Sequence, residues 1–238
     1  NQQGGSQENL LQVILEAAKS YRDDDGKRQG IDFNKFIIHN CKNIYFAGHE
    51  TTSITVSWCL LLLAAYPEWQ DRVRDEVLGV CRDGVLDFET LPSLKSLTMV
   101  IRETLRLYPP AISLTREALK DLMLGDLHIP KGALLTIPIS IMHQNPAIWG
   151  SDAHEFNPRR FDGGIIEACT VPQCYIPFGS GPRICVGQNF AMVELRVMLS
   201  LILSKFQFFL SPQYHHSPVV QLVLQPEHGV HLLLKGLG

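Results

Sequence analysis

From about residue 33 to residue 66 the chain reads FNKFIIHNCKNIYFAGHETTSITVSWCLLLLAAY, with Asp32 placed to cap it and Pro67 placed to end it. The pattern predicts one long helix. Its segments FIIHNCKNIYFAG and ITVSWCLLLLAAY leave it apolar on nearly every side, and a helix without a polar face needs protein around its whole circumference. Upstream stand a polar opening, NQQGGSQEN, without an initiator methionine, then the amphipathic run LLQVILEAAKSY, read as a short helix over 10–21, then the charged loop RDDDGKRQG. One short helix cannot cover such a neighbour. The chain is expected to be either a soluble protein or the C-terminal part of something longer, and the thin upstream cover favours the second, with apolar surface left open. No secretory leader is expected, and the longest wholly apolar run, Leu60–Ala65 with its neighbours, is too short to cross a bilayer.

Pro67 fits the first turn of a further helix, PEWQDRVRDEVLGVC, ending before Gly84. Another is predicted over 93–108, stopped by Pro109-Pro110. The character then changes. SLTREAL, LMLGDLHIPKGALLTIPIS and VVQLVLQPEHGVHLLLKG contain β-branched runs split by Gly and Pro, the pattern of short strands and hairpins. Pro146 to Pro177 is a long irregular stretch, which a compact domain keeps only for a purpose; after it comes an apolar helical pattern, QNFAMVELRVMLSLILSKF. The fold class is mainly α with small β-sheets. A net charge of −3 gives no sign of a nucleic-acid partner. Cys41, Cys59, Cys81, Cys169, Cys174 and Cys185 form no CxxC pair and no zinc spacing, so they read as reduced, mostly buried thiols.

Just ahead of that last helical run lies FGSGPRICVG, residues 178–187. A thiolate on Cys185 at the first turn of a helix is stabilised by the helix's partly positive end. Gly179, Gly181 and Gly187 permit positive φ and a close approach of the backbone to a flat ligand, and N–H groups of the turn tune the sulfur. Phe178 is placed to pack on the ligand face and Arg183 to pair with an acidic group at its rim. A thiolate presented in this way to a metal macrocycle is the axial ligand of a haem-thiolate site. A lone cysteine in a loop is usually just a small buried hydrophobe, but the density of Phe-x-x-Gly-x-Arg-x-Cys-x-Gly overturns that reading.

This string resembles the haem-binding signature of the cytochromes P450. Three further stretches follow that family's order: Ala47-Gly-His-Glu-Thr-Thr52 resembles its oxygen-activation motif, Glu103-Thr-Leu-Arg106 its ExxR motif, and Phe156-Asn-Pro-Arg-Arg-Phe161 its Pro-Glu-Arg-Phe element. ExxR alone occurs by chance in many helices; four motifs in order, over nearly the whole chain, are specific. CKNIYFAGHETT, LTMVIRETLRLYPP and GQNFAMVELR are most similar to the plant branch that includes cytokinin- and gibberellin-oxidising enzymes.

The resemblance implies the P450 fold, N-terminally truncated, with 1–238 the C-terminal portion of a single domain. Residues 1–32 then lead into an oxygen-activation helix over 33–66, an ExxR helix over 93–108, and a meander and haem-ligand loop over 146–187. Cys185 would ligate the iron. Gly48 would clear the helix over the haem, a Thr hydroxyl bonding back to the i−4 carbonyl would loosen the helix and open a groove for dioxygen, and Thr51 with Glu50 would deliver protons there. Glu103, Arg106 and Arg160 would form a buried network fixing the loop before Cys185; Arg159, standing where the family has glutamate, adds a positive charge expected to weaken or redirect that pairing. Arg116 falls at a propionate-binding position, otherwise an exposed strand arginine. Ala47, Ala111, Ile112, Ser113 and Leu114 fall at substrate-facing positions, the last four equally readable as core. His49 and His143 read as structural.

The function implied is a haem b-dependent monooxygenase that hydroxylates or epoxidises an apolar small molecule with O2. Its electrons would come from NADPH through a separate NADPH–cytochrome P450 reductase, at the cytosolic face of the endoplasmic reticulum membrane. The alternative is a non-catalytic remnant with impaired haem and substrate binding. An isomerase or dehydratase is disfavoured by the presence of both Thr51 and Glu50.

Overall fold

The computed structural model describes residues 9–20, 33–80 and 87–237. Asp32, the loop over 22–30, Cys81 and the helix end before Gly84 lie outside the described residues. The chain forms two compact units, residues 1–50 and 51–238. In the first, α1 (Leu10–Ser20) is capped by Asn9, whose Oδ1 accepts the Gln12 N–H at 2.9 Å, and buries Ile14. The long helix is α2 (Phe33–Ala65). Its burial begins at Thr52 and takes in Trp58, Cys59, Leu61, Leu62, Leu63 and Ala64, whereas Ile38, Ile44, Tyr45 and Phe46 are exposed. Cover, expected around the whole helix, is therefore found only over its C-terminal half, where Ser53 and Ala65 stay exposed.

In the second unit, Pro67 opens α3 (Pro67–Val80), and α4 (Lys95–Leu107) follows a 3₁₀ turn capped by Asp87. Helix α4 ends at Tyr108, ahead of the proline pair, as a residue before proline is pushed out of the helical region. Leu63, Val73, Val77, Leu97 and Ile101 from these helices meet Leu195, Leu199 and Leu203 of α7 (Gln188–Leu203) in one buried cluster. Among the described residues there are also four antiparallel strand pairs. They join β1 (Leu114–Glu117) to β4 (Leu134–Ile137), β2 (Leu122–Leu124) to β3 (Leu127–Ile129), β5 (Phe206–Leu210) to β8 (Leu232–Gly236), and β6 (Pro218–Val220) to β7 (Leu224–Pro226).

Two expectations are corrected here. The helical pattern carried to Phe206 stops at Leu203, and FQFFL is strand β5, in register with β8 from Phe206 opposite Gly236 to Leu210 opposite Leu232. Its partner lies a long way down the chain, so an apolar run that suits helix locally is taken by pairing. The strand run carried to Ser140 instead turns at Pro138 into the short helix α5 (Ile139–His143), followed by α6 (Pro146–Trp149), which Asn145 caps. The remainder of the stretch to Pro177 is irregular apart from 3₁₀ turns at Pro158–Phe161 and Pro172–Cys174.

One buried polar side chain ties three elements together. Gln70 of α3, 2% exposed, donates to the carbonyls of Leu63 (3.0 Å) and Phe208 (2.8 Å) and accepts from the Phe208 N–H at 3.0 Å and from Arg74. Arg74 also donates to the Leu203 and Phe206 carbonyls at the junction of α7 and β5. Gln70→Leu strands these groups in the interior and should cost about 2–3 kcal/mol, read as a lower urea midpoint. An unchanged midpoint would show the junction does not need the link.

Candidate functional site

Helix α4 aims two opposite charges into the interior. Glu103 and Arg106 lie three residues apart, so they share a face, and both side chains are fully buried. The pair is bidentate, with Arg106 Nε donating to Glu103 Oε2 at 2.7 Å and Nη2 to Oε1 at 2.8 Å. Arg106 spends its other donors on backbone carbonyls, those of His143 (2.8 Å), Ala153 (2.5 Å) and Glu155 (3.0 Å), and its guanidinium lies over the Trp149 ring at 5.1 Å. Glu103 Oε1 also accepts the Asn157 N–H at 2.9 Å. A short arc of irregular chain is thus held by one buried ion pair.

Arg160 joins this network. It faces inward, 3.4 Å from Glu103 and 2.6 Å from Asp152, and donates to the Trp149 carbonyl at 2.9 Å. Arg159 is exposed. The Arg160 charge is shared between two carboxylates, with Asp152 the nearer; burial works to raise the Asp152 carboxyl, but hydrogen bonds from Arg160 and Asn157 hold it below the usual carboxylate range.

From this arc the chain runs on to the cysteine loop. The Tyr175 hydroxyl donates to the Arg102 carbonyl at 2.9 Å, and the Ile176 N–H donates to His143 Nε2 at 3.0 Å. Gly179 and Gly181 adopt φ +75 and +73, which favours glycine, and the Cys185 N–H closes the loop on the Phe178 carbonyl at 2.8 Å. Gly187 does not share that conformation: its φ is −88, and it caps α7. Nor does Cys185 lie in the first helical turn, because α7 begins only at Gln188. The sulfur stands ahead of the cap, exposed, with Ile184, Val186 and Phe190 exposed around it. Burial excludes Cys59 as a thiolate donor, pushing its thiol up to about 12.

Phe178 is half-buried against the core, and Arg183 is exposed at the end of a 3₁₀ turn. A Cβ on Gly179 would stand 3.6 Å from Leu114 Cδ1, so the loop lies against strand β1. Arg116, two residues on and half-buried like Leu114, shares that face of the strand and donates to the Thr115 carbonyl at 2.9 Å. Ala111 and Ser113 are exposed, and Ile112 is half-buried.

Helix α2 runs as unbroken α-helix through Thr51 and Thr52; i−4 bonds in this stretch include those donated by Thr55 to the Thr51 carbonyl at 2.8 Å and by Ser57 to the Ser53 carbonyl at 3.0 Å. A Cβ on Gly48 would meet no atom within 4 Å among the described residues. His49 stacks on Tyr45 with ring centroids 5.7 Å apart. Ala47, His49 and Glu50 belong to the first unit and Thr51 to the second.

Sequence reasoning missed Trp149, Asp152, Tyr175 and the linking place of His143. Only the fold brings them to Glu103 and Arg106, and no local spacing announces them. His143 is fully buried, and burial pulls its ring down to about 4, the neighbouring Arg106 charge acting the same way against backbone carbonyls that oppose it.

Two outcomes follow. Below pH 6.5, the ordinary histidine value, the unfolded chain takes up a proton at His143 that the folded chain refuses, so stability present in full above that pH drains as pH falls toward 4, by on the order of 3 kcal/mol. Urea midpoints across this window in the parent and His143→Gln should show a steeper fall in the parent. Glu103→Ala leaves Arg106 buried without its counter-charge and should destabilise by about 3–5 kcal/mol, measured by the same midpoint; a loss under about 1 kcal/mol, the worth of a surface pair, would contradict the burial.

The sequence model of the family "Cytochrome P450" matches residues 1–234. The chain is 54% identical to cytochrome P450 714A2 of Arabidopsis thaliana over 93% of its own length and 42% of that protein's. It is 53% identical to cytochrome P450 714C2 of Oryza sativa subsp. japonica, over 96% of the chain and 43% of the relative, and 46% identical to 11-oxo-beta-amyrin 30-oxidase of Glycyrrhiza uralensis, over 97% and 44%. It thus spans somewhat over two fifths of the length of these curated relatives. The mainly helical architecture with small antiparallel sheets agrees with that match, and this chain belongs to the cytochrome P450 family.

Proposed function

We propose that this chain carries the thiolate-ligand portion of a haem b-dependent monooxygenase, which inserts one atom of O2 into an apolar small molecule with electrons relayed from NADPH by a separate reductase. The observation that carries the reading is the placement of Cys185. It is an exposed thiol bordered by apolar side chains, on a loop locked at its start to His143 and α4 and closed on itself at Phe178. A flat apolar macrocycle with an iron at its centre fits that surround, and a single thiolate can serve as its protein ligand. When bound, the haem supplies the oxygen chemistry.

The chain's own residues then have separate tasks. Cys185 Sγ would hold the iron. Gly179 and Gly181 let the loop lie flat, and Phe178 backs it from the core. Arg183 and Arg116 offer positive charge to the carboxylates at the ligand's rim. Glu103, Arg106 and Arg160 hold the meander over 146–177 from which the loop springs. Thr51 and Glu50, neighbours on α2, supply a hydroxyl and a carboxyl able to hold and pass a proton. Ala111, Ile112, Ser113 and Leu114 border the substrate. One relative is named as an 11-oxo-beta-amyrin 30-oxidase, and by analogy the substrate class assigned here is an apolar small molecule. A place on the cytosolic face of the endoplasmic reticulum follows from kinship alone; no helix among the described residues is long and apolar enough to cross a membrane.

The test is a carbon monoxide difference spectrum of the reduced, haem-reconstituted protein. A thiolate-type band is expected, and Cys185→Ser should abolish it. No such band in the parent would favour the non-catalytic remnant. With the band present, incorporation of labelled O2 into product separates an oxygenase from an isomerase.

A further inference from the structure

The Cys185 loop is fastened where it begins. Tyr175 is tied through its hydroxyl to the backbone of α4, and the next residue, Ile176, gives its N–H to His143 Nε2 at 3.0 Å. The carbonyl of the same His143 accepts Arg106 Nη1 at 2.8 Å. One residue therefore touches both the buried ion pair and the start of the thiol loop. Its ring is held between aromatic neighbours, stacked on Tyr175 at 5.4 Å and edge-on to Trp149 at 6.2 Å.

The tautomer sharpens the point. Nε2 accepts a bond, so in the neutral ring Nδ1 carries the proton. Yet Nδ1 makes no well-aligned hydrogen bond among the described residues, although backbone carbonyls lie near the ring. A buried donor left unmet is destabilising, so an apolar ring of similar size would fill this space with less penalty. The polar service the imidazole performs here is the bond to Ile176.

We infer that His143 is a positioning residue for Cys185: it transmits the placement fixed by Glu103 and Arg106, through the Ile176 N–H, to the loop that presents the sulfur. The functional part of this rests on Cys185 being the thiolate ligand; the mechanical part does not. His143→Phe keeps an aromatic ring beside Tyr175 and removes the acceptor, with His143→Leu as the second apolar variant should the first fail to fold. His143→Gln retains an acceptor.

Amide hydrogen exchange of the haem-free chain reads the mechanical part, at Ile176 and at Cys185, whose N–H is bonded to the Phe178 carbonyl. Loss of one buried hydrogen bond should speed exchange at both amides by about tenfold in the apolar variant, with recovery in His143→Gln. The reduced carbon monoxide spectrum reads the functional part, and the apolar variant should lose thiolate-type band that His143→Gln regains. Unchanged exchange at Ile176, or acceleration there without any at Cys185, overturns the inference. So does an intact thiolate-type band in an apolar variant whose exchange has accelerated. A parent chain that never shows the band sinks the reading of Cys185 as ligand, while the exchange ratios still decide whether His143 positions the loop.

Discussion

A single buried ion pair organises the part of this protein that has little regular structure of its own. Glu103 and Arg106 are both inaccessible to solvent, and burying two charges is costly unless geometry and extra hydrogen bonds offset it. Here they do. The pair is bidentate, the guanidinium donates to three carbonyls, and the carboxylate takes a backbone N–H and the fringe of Arg160. Every one of these added bonds goes to residues from 143 to 160, a stretch of short helices and turns that takes part in no strand pair. The network turns a loop into a fixed surface.

What rests on that surface is the cysteine loop. Its geometry is set by four bonds of different origin: a tyrosine hydroxyl to a helix carbonyl, a backbone N–H to an imidazole, the Gly179 N–H to Ile176, and the Cys185 N–H to Phe178. None involves the sulfur. Cys185 is left exposed and ahead of the α7 cap, so the backbone does the holding while the thiol is free for a ligand. The contrast with Cys59, buried with its thiol pushed far up, shows how one chain keeps one cysteine inert and presents another.

The motifs were legible because their chemistry is local. An i,i+3 acid–base pair, a glycine-rich turn before a helix, and a proline at a helix start announce themselves through spacing, and α3, α4 and the two left-handed glycines stand where spacing puts them. Misread features share one cause. Phe206–Leu210 is strand because β8 pairs with it, and Ile139–His143 is helix although its side chains suit a strand. Gly187 takes an ordinary φ because a cap needs nothing more.

The sequence by itself determined the family, the helix-rich class and which residues carry charge or sulfur, since these depend on composition and short-range order. Only the tertiary structure decided who meets whom. The neighbour of Arg106 that matters to the loop is His143, 37 residues away, and the bond that carries its influence onward goes to Ile176, 33 residues further. A backbone carbonyl and a backbone N–H have no residue-type signature, so bonds made to them are invisible until the chain is folded.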